Sequence, residues 1–77
     1  PVNSILNVSY TSNQSEIINF TIVDVLGKVV LSSEENASYS IKNSIKSIDV
    51  STLNNGNYFL KISSTNAIEN VPFTVSH

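Results

Sequence analysis

The sequence has 77 residues, a formal net charge of −2, 40% hydrophobic and 13% charged residues, and no Cys. These values exclude disulfides and thiolate metal sites, and four Lys without any Arg give no basic surface for nucleic acid. A chain of this length holds one hydrophobic core, so we expect a single domain over residues 1–77.

Two segments near the start of the chain alternate between apolar and polar residues. Residues 4–10 place three apolar side chains on one face: Leu6, Val8 and Tyr10. Polar residues 11–15 interrupt the pattern, which resumes over residues 17–25 with Ile18, Phe20 and Ile22. The period of two predicts two half-buried strands.

A tight turn is predicted over residues 24–27. Gly27 can adopt a positive φ there, and Asp24 can accept hydrogen bonds from the backbone ahead of it. The chain should return as a strand and then enter a polar loop over residues 32–38. Two short strand-like pieces follow, marked by Tyr39, Ile41, Ile45, Ile48 and Val50.

The last third of the chain predicts two further strands. An Asn-rich turn over residues 53–58 leads into a strand with one apolar face: Tyr58, Leu60 and Ile62. Residues 64–70 separate it from a final strand with Val71, Phe73 and Val75 on one side. Pro72 lies within that strand and cannot donate to a β-ladder, so we expect it at a sheet edge or an irregularity.

About seven strand-like segments separated by polar turns predict an all-β fold, a small antiparallel immunoglobulin-like β-sandwich. Parallel α/β folds are excluded, because no segment has the length and period of a crossover helix.

The sequence predicts no catalytic, metal or cofactor site. The carboxylates are spread over turns, and only Glu34 and Glu35 are adjacent. The only imidazole, that of His77, lies at the end of the chain, where we expect fraying. A nucleophilic Ser would therefore have no base, and we do not expect an enzyme.

Three stretches carry a resemblance to one family. Residues 1–8, PVNSILNV, resemble its opening strand. Residues 22–30 match its aspartate, two residues, glycine and basic residue with Asp24, Gly27 and Lys28. Residues 53–62 match its late Leu-x-x-Gly-x-Tyr strand with Leu53, Gly56, Tyr58 and Lys61. The chain thus resembles the C-terminal sorting domain of the type IX (Por) secretion system of Bacteroidetes.

The resemblance implies that the domain directs a folded cargo from the periplasm across the outer membrane, for surface anchoring or release. The implied partners are the translocon, shuttle and sortase components of that system. The chain would then be a fragment of a larger secreted protein, and the sequence does not identify that cargo.

The last strand is the candidate for recognition by the translocon, through edge pairing along Val71, Phe73 and Val75. The same edge could pair with a second copy to form a homodimer. For Asp24, Gly27, Gly56 and Tyr58, turn and tyrosine-corner geometry favours fold maintenance over direct contact with the machinery. The alternative function is an accessory immunoglobulin-like or fibronectin-like spacer or glycan-binding module of a secreted protein.

Overall fold

The computed structural model describes residues 4–11, 16–37, 44–65 and 67–77. The strands within these ranges are β1 (Ile5–Tyr10), β2 (Glu16–Asp24), β3 (Val29–Ala37), β4 (Ser44–Asp49), β5 (Gly56–Ser63) and β6 (Ile68–Val75). Every strand pair is antiparallel. The all-β prediction is therefore confirmed, with six described strands against about seven expected. These ranges contain no helix of the length and hydropathy needed to span a membrane.

The strands form two sheets. One has four strands in the order β3, β2, β5, β6, and the other pairs β1 with β4. β2 and β5 form the centre of the larger sheet, while β3 and β6 are its edges. The predicted antiparallel sandwich is confirmed, and Pro72 lies in an edge strand as expected.

The core lies between the two sheets and contains most of the residues that the period of two placed on one face. Its buried members are Val8, Ile18, Phe20, Ile22, Ile48, Val50, Leu53, Tyr58, Leu60 and Val75. Tyr10 of β1 meets Phe20 of β2 edge to face, with ring centroids 5.7 Å apart. This aromatic pair joins the two sheets.

The predicted polar loop over residues 32–38 is wrong, because β3 continues as a strand to Ala37. β2 supplies the hydrogen-bonding partner along the whole length, as far as Glu16 opposite Ala37. A polar sequence suits an edge strand, where charged side chains discourage pairing with other chains. Glu35 of β3 also reaches the smaller sheet, where its carboxylate lies 3.2 Å from the Lys46 ammonium group.

One further sequence prediction needs adjustment, and one strand has its exposed and buried faces defined by the structure. β6 begins at Ile68, inside the segment expected to separate the last two strands. Ile45 lies in β4 but is 70% exposed, whereas Ile48 and Val50 face the core. The strand-like piece expected at Tyr39 and Ile41 lies outside the described residues.

Candidate functional site

The second motif stretch, residues 22–30, contains the turn between β2 and β3. The Gly27 N–H donates to the Asp24 carbonyl, and the Asp24 N–H donates to the Lys28 carbonyl, at 3.0 Å each. Gly27 has a φ of 83°, the left-handed conformation that closes a three-residue hairpin loop. The Asp24 carboxylate accepts hydrogen bonds from the N–H groups of Leu26 and Lys28, at 2.9 Å each. The sequence prediction for this turn is confirmed.

The third motif stretch, residues 53–62, forms a tyrosine corner at the start of β5. The buried Tyr58 hydroxyl donates to the Asn54 carbonyl at 2.7 Å. Leu53 is also buried, and its N–H donates to the Val50 carbonyl at 3.0 Å. Gly56 opens the strand with a φ of 154°. Tyr58 and Leu53 therefore anchor the connection from β4 to the core.

The fold brings these two stretches side by side, which their separation in sequence does not reveal. In the pairing of β2 with β5, Asp24 lies opposite Tyr58 and Thr21 lies opposite Lys61. Lys28 and Lys61 are exposed, and neither makes a salt bridge within the described part of the chain. The motif residues Leu53 and Tyr58 thus lie in the core, while the two lysines lie on the surface.

Replacing Tyr58 by Phe tests the tyrosine corner. The change removes one hydrogen bond and should lower the free energy of unfolding by about 1 kcal/mol. In a domain of this size, that loss lowers the melting temperature by roughly 4–8 °C. Tyr10→Phe is the matched control, since the Tyr10 hydroxyl makes no hydrogen bond to the described residues. Equal melting temperatures for the two variants would contradict the structural role of the Tyr58 hydroxyl.

The three side chains predicted for recognition, all in β6, differ in how deeply they are buried. Val75 is 1% exposed and belongs to the core, while Phe73 stacks on Tyr58 with ring centroids 5.8 Å apart. Val71 is 42% exposed. β5 occupies one edge of β6, and no described strand pairs with the other edge. Of the three side chains predicted for recognition, Val71 is therefore the exposed one, and it lies in a strand with an open edge.

A groove of about 200 Å³ runs between β1 and β6. Six of its nine lining residues are apolar: Leu6, Asn7, Val8, Ser9, Leu60, Ile62, Glu69, Val71 and Phe73. The groove exists because two strands of the smaller sheet cannot cover four strands of the larger one. It places an apolar surface beside the open edge of β6.

His77 contradicts the expectation of a frayed end. Its ring Nε2 lies 2.7 Å from the Leu53 carbonyl oxygen, and its backbone N–H donates to the Asn55 side chain at 2.9 Å. These bonds attach the end of the chain to the loop that precedes Tyr58. The sequence contains no pattern that would have identified them, because the partners lie more than twenty residues away.

Several carboxylates have structural partners. Glu35 pairs with Lys46, and Glu16 accepts the Thr65 N–H at 3.0 Å. Hydrogen bonds from the side chain and backbone of Ser51 lower the pKa of Asp49. No group of three His, Cys, Asp or Glu within the described ranges is placed to hold a metal ion.

A family model described as "Secretion system C-terminal sorting domain" matches residues 1–73. The match covers all three motif stretches and most of β6. No curated protein and no solved structure shows a significant match to the chain.

Proposed function

We propose that this chain, which belongs to the family of secretion system C-terminal sorting domains, directs a folded cargo from the periplasm across the outer membrane. As a type IX sorting signal, the chain interacts with the type IX machinery, and it belongs to a secreted or cell-surface protein. The shuttle, the translocon and the sortase are the components that we propose as its partners. The family match is the observation that carries this function.

The domain acts as a folded signal and not as an enzyme. Asp24 and Glu35, two of its carboxylates, are held in a turn and in an ion pair. The buried residues of the second and third motif stretches support the core and the turns around it. A sorting signal of this kind presents its surface, so the exposed groups of the sandwich are the ones available to the machinery.

The first experiment fuses residues 1–77 to the C-terminus of a periplasm-targeted fluorescent protein in a Bacteroidetes host. We expect fluorescence outside the cell only when the type IX translocon is intact. Retention of a folded fusion in the periplasm would contradict the sorting function and favour the accessory-module alternative.

The open edge of β6 is the element that we propose the translocon pairs with. An extended segment of a partner can add to a sheet edge through backbone hydrogen bonds, with its side chains entering neighbouring pockets. The apolar groove beside Val71 would supply such a pocket. Proline is tolerated in edge strands where its nitrogen faces away from the sheet. Asn70 and Thr74 lie two positions from Pro72 in β6, and backbone groups two positions apart point to the same side of a strand. The N–H groups of Asn70 and Thr74 therefore point away from β5, as the Pro72 nitrogen does.

Asn70→Pro tests edge pairing, because it removes one outward N–H and leaves the ladder to β5 intact. We expect export to fall about tenfold, since loss of about 1.4 kcal/mol of binding energy corresponds to that factor. Asn70→Ala keeps the N–H and is the matched control, with export close to wild type. Both variants should melt near the wild-type temperature. Equal export of the two folded variants would rule out pairing through this N–H.

The same edge can pair with a second copy of the chain, and we propose that a homodimer forms this way at high concentration. Analytical ultracentrifugation of the purified domain over a wide concentration range measures the fraction of dimer. The dimer should weaken in Asn70→Pro. A monomer at every concentration would contradict this part of the proposal.

A further inference from the structure

The solvent-facing side of the four-stranded sheet carries a line of apolar residues, one on each strand. Val23 of β2 lies opposite Val29 of β3 and opposite Phe59 of β5, and Phe59 in turn lies opposite Pro72 of β6. We call Val29, Val23, Phe59 and Pro72 the outer apolar row. It crosses the sheet at right angles to the strands and points away from the core.

The outer apolar row is accessible. Val29 is 55% exposed and Phe59 is 42% exposed. The β2–β3 turn continues the apolar surface with Val25 and Leu26, which are 67% and 89% exposed. The outer face of a sandwich is usually polar, and large exposed apolar patches mark interaction sites. No described segment of the chain covers this patch.

The next line of paired residues on the same face is polar: Ser32, Thr21, Lys61 and Asn70. On the other side of the row, Asn57 lies opposite Thr74, and the Thr74 hydroxyl donates to the Asn57 side chain at 2.8 Å. Neither flanking line contains a carboxylate. Lys61 follows Phe59 by two positions on this face. The apolar row is thus bordered by a cation that has no salt bridge within the described residues.

We propose that the outer apolar row docks a protein segment of the type IX machinery that carries apolar side chains flanked by Asp or Glu. The apolar side chains would cover Phe59 and its neighbours, and a carboxylate would meet Lys61. Complementary charge of this kind selects partners and orients them. This inference rests on the proposed function and names a recognition surface separate from the β6 edge.

A protein partner suits this surface better than an anionic membrane does. Membrane recognition by charge normally requires a cluster of about 4–8 Lys or Arg residues. Among the described residues, Lys61 is the one cation on the face of the row, and the chain as a whole has a net charge of −2. A few apolar anchors with one or two charged neighbours are instead typical of protein–protein contacts.

Phe59→Thr tests the apolar part of the surface in the full fusion. Threonine keeps strand propensity, so the variant should fold and melt near wild type. We expect export to fall at least about tenfold, the effect of losing an aromatic anchor in an interface. Ile45→Thr is the matched control, because Ile45 is exposed on the outer face of the other sheet. Normal export of folded Phe59→Thr overturns the proposal.

Three substitutions of Lys61 test the proposed charge complementarity with acidic residues of the partner. Lys61→Glu should reduce export more than Lys61→Gln does, and Lys61→Arg should retain it. Equal export of the three variants would contradict the proposal that the partner segment is acidic. The wild-type fusion runs in parallel, and its retention in the periplasm would overturn the proposed function and this inference together. If wild type is exported and the Phe59 and Lys61 variants are exported equally well, this inference alone fails.

A photo-cross-linking amino acid in place of Phe59 in the fusion identifies the molecule that binds the outer apolar row. We expect a cross-link to a type IX component at a segment rich in Asp or Glu, and none from position 45. Cross-links only to lipid, together with binding to phosphatidylglycerol vesicles that Phe59→Thr abolishes, would overturn the protein partner in favour of a membrane.

Discussion

Phe20→Ala should leave the domain largely unfolded at room temperature. The Phe20 side chain is 1% exposed, at the centre of the larger sheet and against Tyr10 of the smaller one. Truncating a buried Phe costs about 3–5 kcal/mol. A single core in a domain this small supplies only about 3–5 kcal/mol of net stability. The two values are similar, so the folded state should no longer dominate.

Urea unfolding followed by circular dichroism measures this effect. Phe59→Ala is the matched control, because it removes the same side chain from the solvent-facing side of the same sheet. We expect Phe59→Ala to remain folded and to unfold cooperatively. Cooperative unfolding of Phe20→Ala with less than about 1 kcal/mol of loss would contradict the core position of this ring.

Gly27→Val should destabilise the domain by about 1–3 kcal/mol, and export should fall with it. No atom lies within 4 Å of a Cβ placed on Gly27, so the cost comes from the backbone and not from a clash. A β-branched residue is poorly compatible with a φ of 83°. The strained turn would also disturb the hydrogen bonds that Asp24 accepts from Leu26 and Lys28.

Gly27→Asn separates the role of this turn in folding from a role in contact. Asparagine tolerates the left-handed conformation better than valine does, so it should retain more stability. If the motif maintains the fold, export should follow the melting temperature, which should be highest for wild type, lower for Gly27→Asn and lowest for Gly27→Val. A Gly27→Val protein that melts like wild type but is not exported would instead indicate that the machinery contacts this turn directly.

Local pattern predicted the features that depend on neighbours in sequence. The alternation around Phe20 and Leu60 identified two strands and their buried faces, and the core contains both residues. Asp24 and Gly27 predicted their turn because its hydrogen bonds span four residues or fewer. The bond from Tyr58 to Asn54 is equally local, because donor and acceptor are four positions apart.

The sequence by itself therefore determined the all-β class, the turns, the buried faces and the family. Only the tertiary structure decided that the polar segment ending at Ala37 is a strand, because β2 supplies its hydrogen bonds. It also decided that His77 contacts Leu53 and that Val23, Phe59 and Pro72 align across three strands. Alternation shows which face of a strand a residue occupies. The register between strands, which sets its neighbours, is a property of the assembled sheet.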